Sequence, residues 1–348
     1  MVEEAEMTTT ESGSSKRHYF PYDKAMVMKE LGKDRLLKGL EQMVLIRNFE
    51  TRAEAGYLQG HIGGFFHSYI GQEAIQTAAV DAIGKDSWWA TTYRCHALAL
   101  LLGATPNEIM AELYGRANGN ALGRGGSMHL YTDRLLGGFG IVGGQIPIAT
   151  GAAFTLKYEG VKDRVAVCFM GDGAIAQGAF HESLNQASLW DLPCIFVIEN
   201  NQWGMGTAVD RAISVRRLAE DKAAGYGMDG YSFDGMDYLA CYAGFKHVFE
   251  QVTTKQRPVL VECVTERFKG HSVSDPGLYR SKDALKACME QGPIILLREK
   301  LQELGFIDED AFTAMDKAAR EVSVASMKHA EESPWPDPAT LESDVFAP

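Results

Sequence analysis

An α/β fold, a doubly wound parallel sheet flanked by helices, is predicted by three consecutive stretches of this sequence. Val165–Met170 is a short apolar run with β-branched residues, bounded by charge before and glycine after. That is the pattern of a strand buried on both faces of a parallel sheet. A helical stretch follows from Gly178 to Trp190, with Phe180, Leu184, Ala187 and Leu189 on its apolar side and Pro193 as its stop. Cys194–Ile198 reads as a second strand. A right-handed crossover brings the two strands side by side. The Gly171-Asp172-Gly173 and Asn200-Asn201 clusters then emerge together at the carboxyl edge of the sheet, where open α/β sheets bind ligands.

The other elements follow in order. Residues 1–18 are acidic, then rich in Ser and Thr, and read as a disordered arm. Leu36 to Leu58 is helical, with Leu36, Leu40, Met43, Val44, Leu45 and Phe49 near helical spacing and Gly60 at its end. The HIGGFFHSYIGQEA segment (61–74) makes a glycine turn and opens a helix near Gln72. Trp88–Thr92 is a strand with Tyr93 and Arg94 at its end; a helix runs through Leu102 and another over Pro106–Tyr114. The stretch from Gly115 to Gly151 is glycine-rich but interleaved with Met128, Leu130, Ile141, Val142, Ile146 and Ile148. It reads either as chain wrapped closely around a cofactor, the favoured reading, or as a flexible loop. Val259–Val264 is a further strand, leading into a long polar loop over 266–283. Long ordered loops are usually functional. Two or three amphipathic helices then run to about Ala330, giving one domain over 19–330 and an extended proline-rich tail over 331–348.

Composition narrows the class. The 348 residues carry a formal charge of −12, which argues against nucleic acid and anionic membrane as partners. No apolar run approaches a membrane span. The six cysteines show no paired ligand spacing, and Cys168, Cys194 and Cys263 lie in apolar runs, as reduced core thiols do. The N-terminus lacks an apolar signal region and is too acidic for a typical transit peptide, so a cytoplasmic protein is expected.

The chemistry that suits GDG and NN at adjacent strand ends is a hard divalent cation holding a diphosphate. Magnesium takes few oxygens from protein when phosphates supply the rest. Asp172 offers a carboxylate oxygen, Asn201 an amide oxygen and Trp203 a backbone carbonyl. GDG alone would read as a tight turn; the helix, strand and NN after it make the metal reading the better one. His67 can exchange protons near neutral pH or be a satisfied core histidine. Tyr93 and Arg94 suit a phosphate or a surface ion pair.

GDGAxxQG, LNxASLWxLPCIFVIENN and GMGT resemble the alpha subunits of the thiamine diphosphate-dependent 2-oxo acid dehydrogenases, most of all those acting on pyruvate, over roughly Tyr19 to the C-terminus. The resemblance implies thiamine diphosphate and Mg2+ as cofactors. It assigns the diphosphate to Tyr93 and Arg94, with Asp172, Gly173, Ala174 and Asn201 around it. It assigns the aminopyrimidine ring to backbone over Gly140-Ile141-Val142, and support of the thiazolium ring to Met205, by residue type alone a core filler. His67 matches a histidine lining the channel to the reactive carbon, and His271 one that meets the phosphate side when its loop orders. Ser272 matches a serine phosphorylated in mitochondrial relatives, where added charge would repel the diphosphate. Ala176 and Trp203 depart from the family pattern without touching Asp172 or Asn201. Cys95-His96-Ala97 departs from the usual His-Gly ending and leaves His96 without a secure role. The implied reaction is decarboxylation of pyruvate with reductive acetylation of a lipoyl group on an acetyltransferase second component. A glutamate for the pyrimidine ring has no place in this chain, so a beta subunit in an α2β2 heterotetramer is implied. Glu73, the nearest acid, reads as a first-turn helix residue. Rival readings are a branched-chain 2-oxo acid or acetoin enzyme, a free-standing decarboxylase, and a non-catalytic regulatory subunit.

Overall fold

The structure, a computed structural model, describes residues 19–343 and Val345. The segment 1–18, read as an arm, lies outside the described residues. The elements in chain order are α1 Lys24–Leu58, α2 Glu73–Ile83, β1 Trp88–Thr92, α3 His96–Leu101, α4 Pro106–Leu113, β2 Leu135–Phe139 and α5 Gln145–Tyr158. Then come β3 Ala166–Gly171, α6 Gly178–Leu189, β4 Cys194–Asn200, β5 Trp203–Gly204, β6 Thr207–Ala208, α7 Val209–Ala212 and α8 Leu218–Ala223. The chain continues with β7 Asp229–Asp234, α9 Tyr238–Lys255, β8 Val259–Val264, α10 Lys282–Glu290, α11 Pro293–Glu303 and α12 Glu309–Glu332.

Six strands form one all-parallel sheet in the order β2-β1-β3-β4-β8-β7. Both faces are apolar because successive side chains of a strand point to opposite sides. Val167 and Phe169 of β3, Ile195 and Val197 of β4, and Val259 and Val261 of β8 pack into one core, with helices α1, α2 and α9. Ala166, Cys168, Met170, Phe196, Ile198 and Leu260 fill the other, with α5, α6 and α8. The sheet is therefore doubly wound, as the apolar runs predict. From β1 the chain moves outward to β2 and then returns to β3 on the other side of β1. The β1/β3 boundary is the switch point, and it opens a crevice at the carboxyl edge.

Several sequence expectations need correction. The first helix begins at Lys24, capped by the Asp23 side chain, and breaks at Gly32, whose φ of +67° no helix accommodates. The α6 helix ends at Leu189, before Pro193; Asp191, in the left-handed region at φ +48°, turns the chain there. Leu189 is exposed, not on the buried side. The strands β2 and β7 and the helices α5 and α9 carried no expectation. Much of the glycine-rich stretch wraps a protein carboxylate, not a cofactor. Buried Glu112 accepts from the backbone N–H groups of Ala121 (2.8 Å), Gly123 (2.9 Å), Gly125 (2.6 Å) and Gly126 (3.2 Å). A Cβ on Gly119 would come within 2.2 Å of the same carboxylate, so glycine is required by that close approach. The described part of the tail is also not simply extended. It makes a 3-10 turn at Pro338–Thr340, and Trp335 lies 3.7 Å under the Arg116 guanidinium.

Candidate active site

A cavity of about 890 Å³ opens at the carboxyl ends of β1, β2, β3, β4 and β8. Of the residues expected at the site, His67, Tyr93, Arg94, Gly140, Val142, Asp172, Gly173, Ala174, Asn201, Trp203, Met205 and His271 line it, and Ile141 does not. All but His67 arrive from a strand end or the loop after one; His67 comes from the connection between α1 and α2.

Asp172 follows β3 and is buried in a 3-10 turn that ends at Ala176. Burial raises its carboxyl to about 6, against the opposing pull of its own backbone N–H and of Arg267. The two asparagines after β4 diverge. Asn200 turns into the protein and donates to Glu262 (2.7 Å), whereas Asn201 faces the cavity and its Oδ1 accepts from the Trp203 N–H (3.3 Å). Strand alternation sends them apart, so one of the pair is structural. Trp203 and Met205 belong to the tight β5–β6 hairpin. Met205 has φ +56°, a conformation side-chain-bearing residues rarely adopt, and its exposed side chain projects at the cavity. The indole of Trp203 packs 4.9 Å from the Tyr279 ring, so this departure from the family pattern has its own partner, while the backbone carbonyl of Trp203 accepts from Arg267 (3.3 Å).

Arg94 is buried. It donates to the carbonyl oxygens of Ser68 (2.7 Å) and His271 (2.6 Å), tying the 266–283 loop to the end of β1. The rings of His67, Tyr93 and His271 cluster, with His67 4.4 Å from Tyr93 and 5.0 Å from His271. Nδ1 of His67 is buried without a partner among the described residues. Burial, reinforced by Arg94 and His271, pushes the His67 imidazole down to about 3. Burial with Arg94 and Arg267 pushes His271 down to about 4. Both rings are neutral at pH 7. An anion beside the two arginines would offset that repulsion and raise them.

Sequence reasoning missed several residues. Arg267, fully buried three residues after β8, donates to the carbonyl oxygens of Trp203 (3.3 Å) and Met205 (2.8 Å) and to the Tyr279 hydroxyl. Its signal was the one Arg94 gave: an arginine just past an apolar strand. Asp275 organises the loop by accepting from the His271 N–H (2.6 Å), the Gly277 N–H (2.8 Å) and the Tyr279 hydroxyl (2.6 Å). Burial would raise its carboxyl, but these bonds hold it at about 2. Glu199, an acid inside an apolar strand, lines the cavity floor and accepts from the Tyr69 hydroxyl and Gln76 Nε2 (3.2 Å). Burial lifts it to about 7. Ser272 also lines the cavity, with its hydroxyl 2.9 Å from that of Ser274. Glu73 does not line it. As expected, it opens α2, and it pairs with Arg47 (2.6 Å). His96 is buried against Glu50 (3.1 Å) and Ser127, a structural role.

The wall fits an anion sharing a hard cation with the protein. Two buried guanidinium groups face it. A Cβ added at Gly171 would meet no protein atom within 4 Å, and one at Gly173 only the Gly204 Cα at 3.9 Å, so side chains there would take cavity space. The oxygens of Asp172, Asn201 and Trp203 are all hard donors. Among the described residues no group of three or more His, Cys, Asp or Glu side chains could hold a metal by itself.

The sequence of this chain is similar to those of known proteins. Residues 41–339 match the family described as dehydrogenase E1 component. The chain is 39% identical over 316 residues to the pyruvate dehydrogenase E1 component subunit alpha of Rickettsia felis, covering 90% of this chain and 96% of that one. It is 40% identical over 320 residues to the protein of that name from Rhizobium meliloti, covering 91% of each. To the mitochondrial form from Kluyveromyces lactis it is 39% identical over 320 residues, 91% of this chain and 77% of that one. A switch-point cavity with GDG and NN at its strand ends, inside a match this long, makes the chain a member of the dehydrogenase E1 component family.

Proposed function

We propose that this chain is the alpha subunit of a pyruvate dehydrogenase first component, binding thiamine diphosphate with Mg2+ and decarboxylating pyruvate ahead of reductive acetylation of a lipoyl group. One observation carries the reading. Asp172, Asn201 and the Trp203 carbonyl, from adjacent strand ends and the hairpin after them, share one cavity with Arg94, Arg267, His67 and His271. Asp172, Asn201 and Trp203 would hold the cation, and Tyr93, Arg94 and Arg267 the diphosphate. Gly140 and Val142 would lie against the aminopyrimidine, and Met205 under the thiazolium. When bound, the cofactor supplies the electron sink that lets carbon dioxide leave. His67 and His271, neutral and adjacent, are placed to accept or donate a proton at their ring nitrogens.

The pyrimidine side needs a carboxylate. The cavity's acids are Asp172, Asp275 and Glu199. Asp172 would be taken up by the cation, Asp275 is bonded within the loop, and Glu199 holds the Tyr69–Gln76 floor. A beta-type subunit in an α2β2 assembly would supply the carboxylate, and a lipoyl-bearing second component would take the acetyl group. The exposed apolar side chains on and near α5 and α6 (Ile141, Ile148, Phe154, Tyr158, Leu189 and Trp190) suit such a partner. The test is carbon dioxide release from several 2-oxo acids by the chain co-expressed with a beta-type partner. Pyruvate should give the highest kcat/KM; a preference for branched-chain substrates would overturn the substrate assignment.

A further inference from the structure

Asn201 can serve a cation only if its amide oxygen, not its nitrogen, is on the cation's side. The two ends of an amide are nearly the same size, so neighbours must choose between them. On one side stands the Trp203 backbone N–H, 3.3 Å from Asn201 Oδ1. A backbone N–H can only donate, so it fixes where the oxygen points. On the other side, Asn201 Nδ2 donates to Gln72 Oε1 at 3.0 Å, with both residues buried.

Gln72 is the N-cap residue of α2, yet its side chain makes no cap hydrogen bond. Short side chains that reach the first turn are preferred there. Its own Nε2 is buried and has no partner among the described residues. An orphaned buried donor is costly, because it loses its bond to water and gains none in return. The position therefore uses only the acceptor half of the amide, and that half is spent on Asn201. Gln72 does not line the cavity.

We propose that Gln72 is a positioning residue. Through its Oε1 it holds the Asn201 amide in the one orientation that offers an oxygen to the cation. The proposal rests on the metal reading above. It requires an acceptor at position 72, so a carboxylate serves and an apolar side chain of the same length does not.

The test is Mn2+ binding to the assembled enzyme with saturating thiamine diphosphate, followed by the electron paramagnetic resonance signal of free Mn2+. Gln72→Met should weaken binding roughly 10–100-fold, the usual cost of losing a group that orients a metal ligand, while Gln72→Glu stays within about threefold of wild type. Wild-type Mn2+ affinity in Gln72→Met, with Asp172→Ala losing it, would overturn the positioning role and spare the metal site. A purely structural role would lower thermal stability in Gln72→Met without moving the Mn2+ constant, and that too overturns it. If Gln72→Met fails to assemble, Gln72→Glu decides alone: a tenfold or greater loss refutes the proposal. Unchanged Mn2+ binding in Asp172→Ala would remove the metal reading and the inference together.

Discussion

Asp172 and Asn201 follow the neighbouring strands β3 and β4 and line the same cavity. Asp172→Ala and Asn201→Ala should each abolish Mg2+-dependent cofactor binding by the assembled enzyme, measured by calorimetry. Wild-type affinity in either would refute the ligand set. His67 yields a pH prediction. Its folded pKa, about 3, lies below the unfolded value near 6.5. The unfolded chain therefore takes up a proton first as pH falls, so the stability is complete above about pH 6.5 and is lost below it. At pH 5 the loss from this one group is about 2 kcal/mol. His67→Gln should reduce the drop in unfolding midpoint between pH 7.5 and pH 5 for the cofactor-free enzyme. An unchanged drop would mean that the ring is not held neutral.

At the scale of elements, Glu112 acts as a folding template. Its carboxylate gathers four backbone N–H groups from the 121–126 segment, which has no sheet or helix to satisfy them. Glu112→Ala should destabilise the protein by about 3 kcal/mol or more, with Glu112→Gln intermediate, as read by thermal unfolding. A negligible change would show that water replaces the carboxylate. The loop between β8 and α10 is held by polar contacts: Arg94 to the His271 carbonyl, Asp275 to three donors, and Arg280 to the Arg267 and Lys269 carbonyls. Such contacts compete with water, so the loop should open locally at low cost. Thiamine diphosphate with Mg2+ should slow its cleavage in limited proteolysis of the assembled enzyme; equal cleavage with and without them would count against any coupling of loop and cofactor.

For the whole molecule, the prediction is that this chain alone is inactive. Ile141, Tyr158 and Leu189 are 78%, 84% and 70% exposed, an arrangement suited to a partner surface rather than to water. The purified chain should release no carbon dioxide from pyruvate at saturating cofactor, and should self-associate. Adding a beta-type subunit should restore turnover. Robust decarboxylation by the isolated chain, abolished by Glu199→Gln or Glu73→Gln, would place the pyrimidine carboxylate in this chain and remove the need for a partner's.

The local sequence determined a large part of this protein. Strands buried on both faces announce themselves as apolar runs, so β1 and β8 match their expected bounds and β3 and β4 lie within two residues of theirs. The GDG and NN clusters follow such runs directly, and strand–helix–strand handedness then puts them side by side. The strand β2 was hidden because its LLGGF sequence has glycine where a side chain would strike Cys95 and Met128; a Cβ on Gly138 would lie 2.6 Å from both. That requirement comes from packing, which no local pattern carries. Tertiary structure alone decided what the glycines at 119–126 surround. It also decided that Arg267, 64 residues beyond Trp203, donates to that residue's carbonyl, and that Gln72, 129 residues before Asn201, faces its amide. Propensity and periodicity act over a few residues, whereas hydrogen-bond partners and buried charges are chosen by whatever the folded sheet brings within about 3 Å.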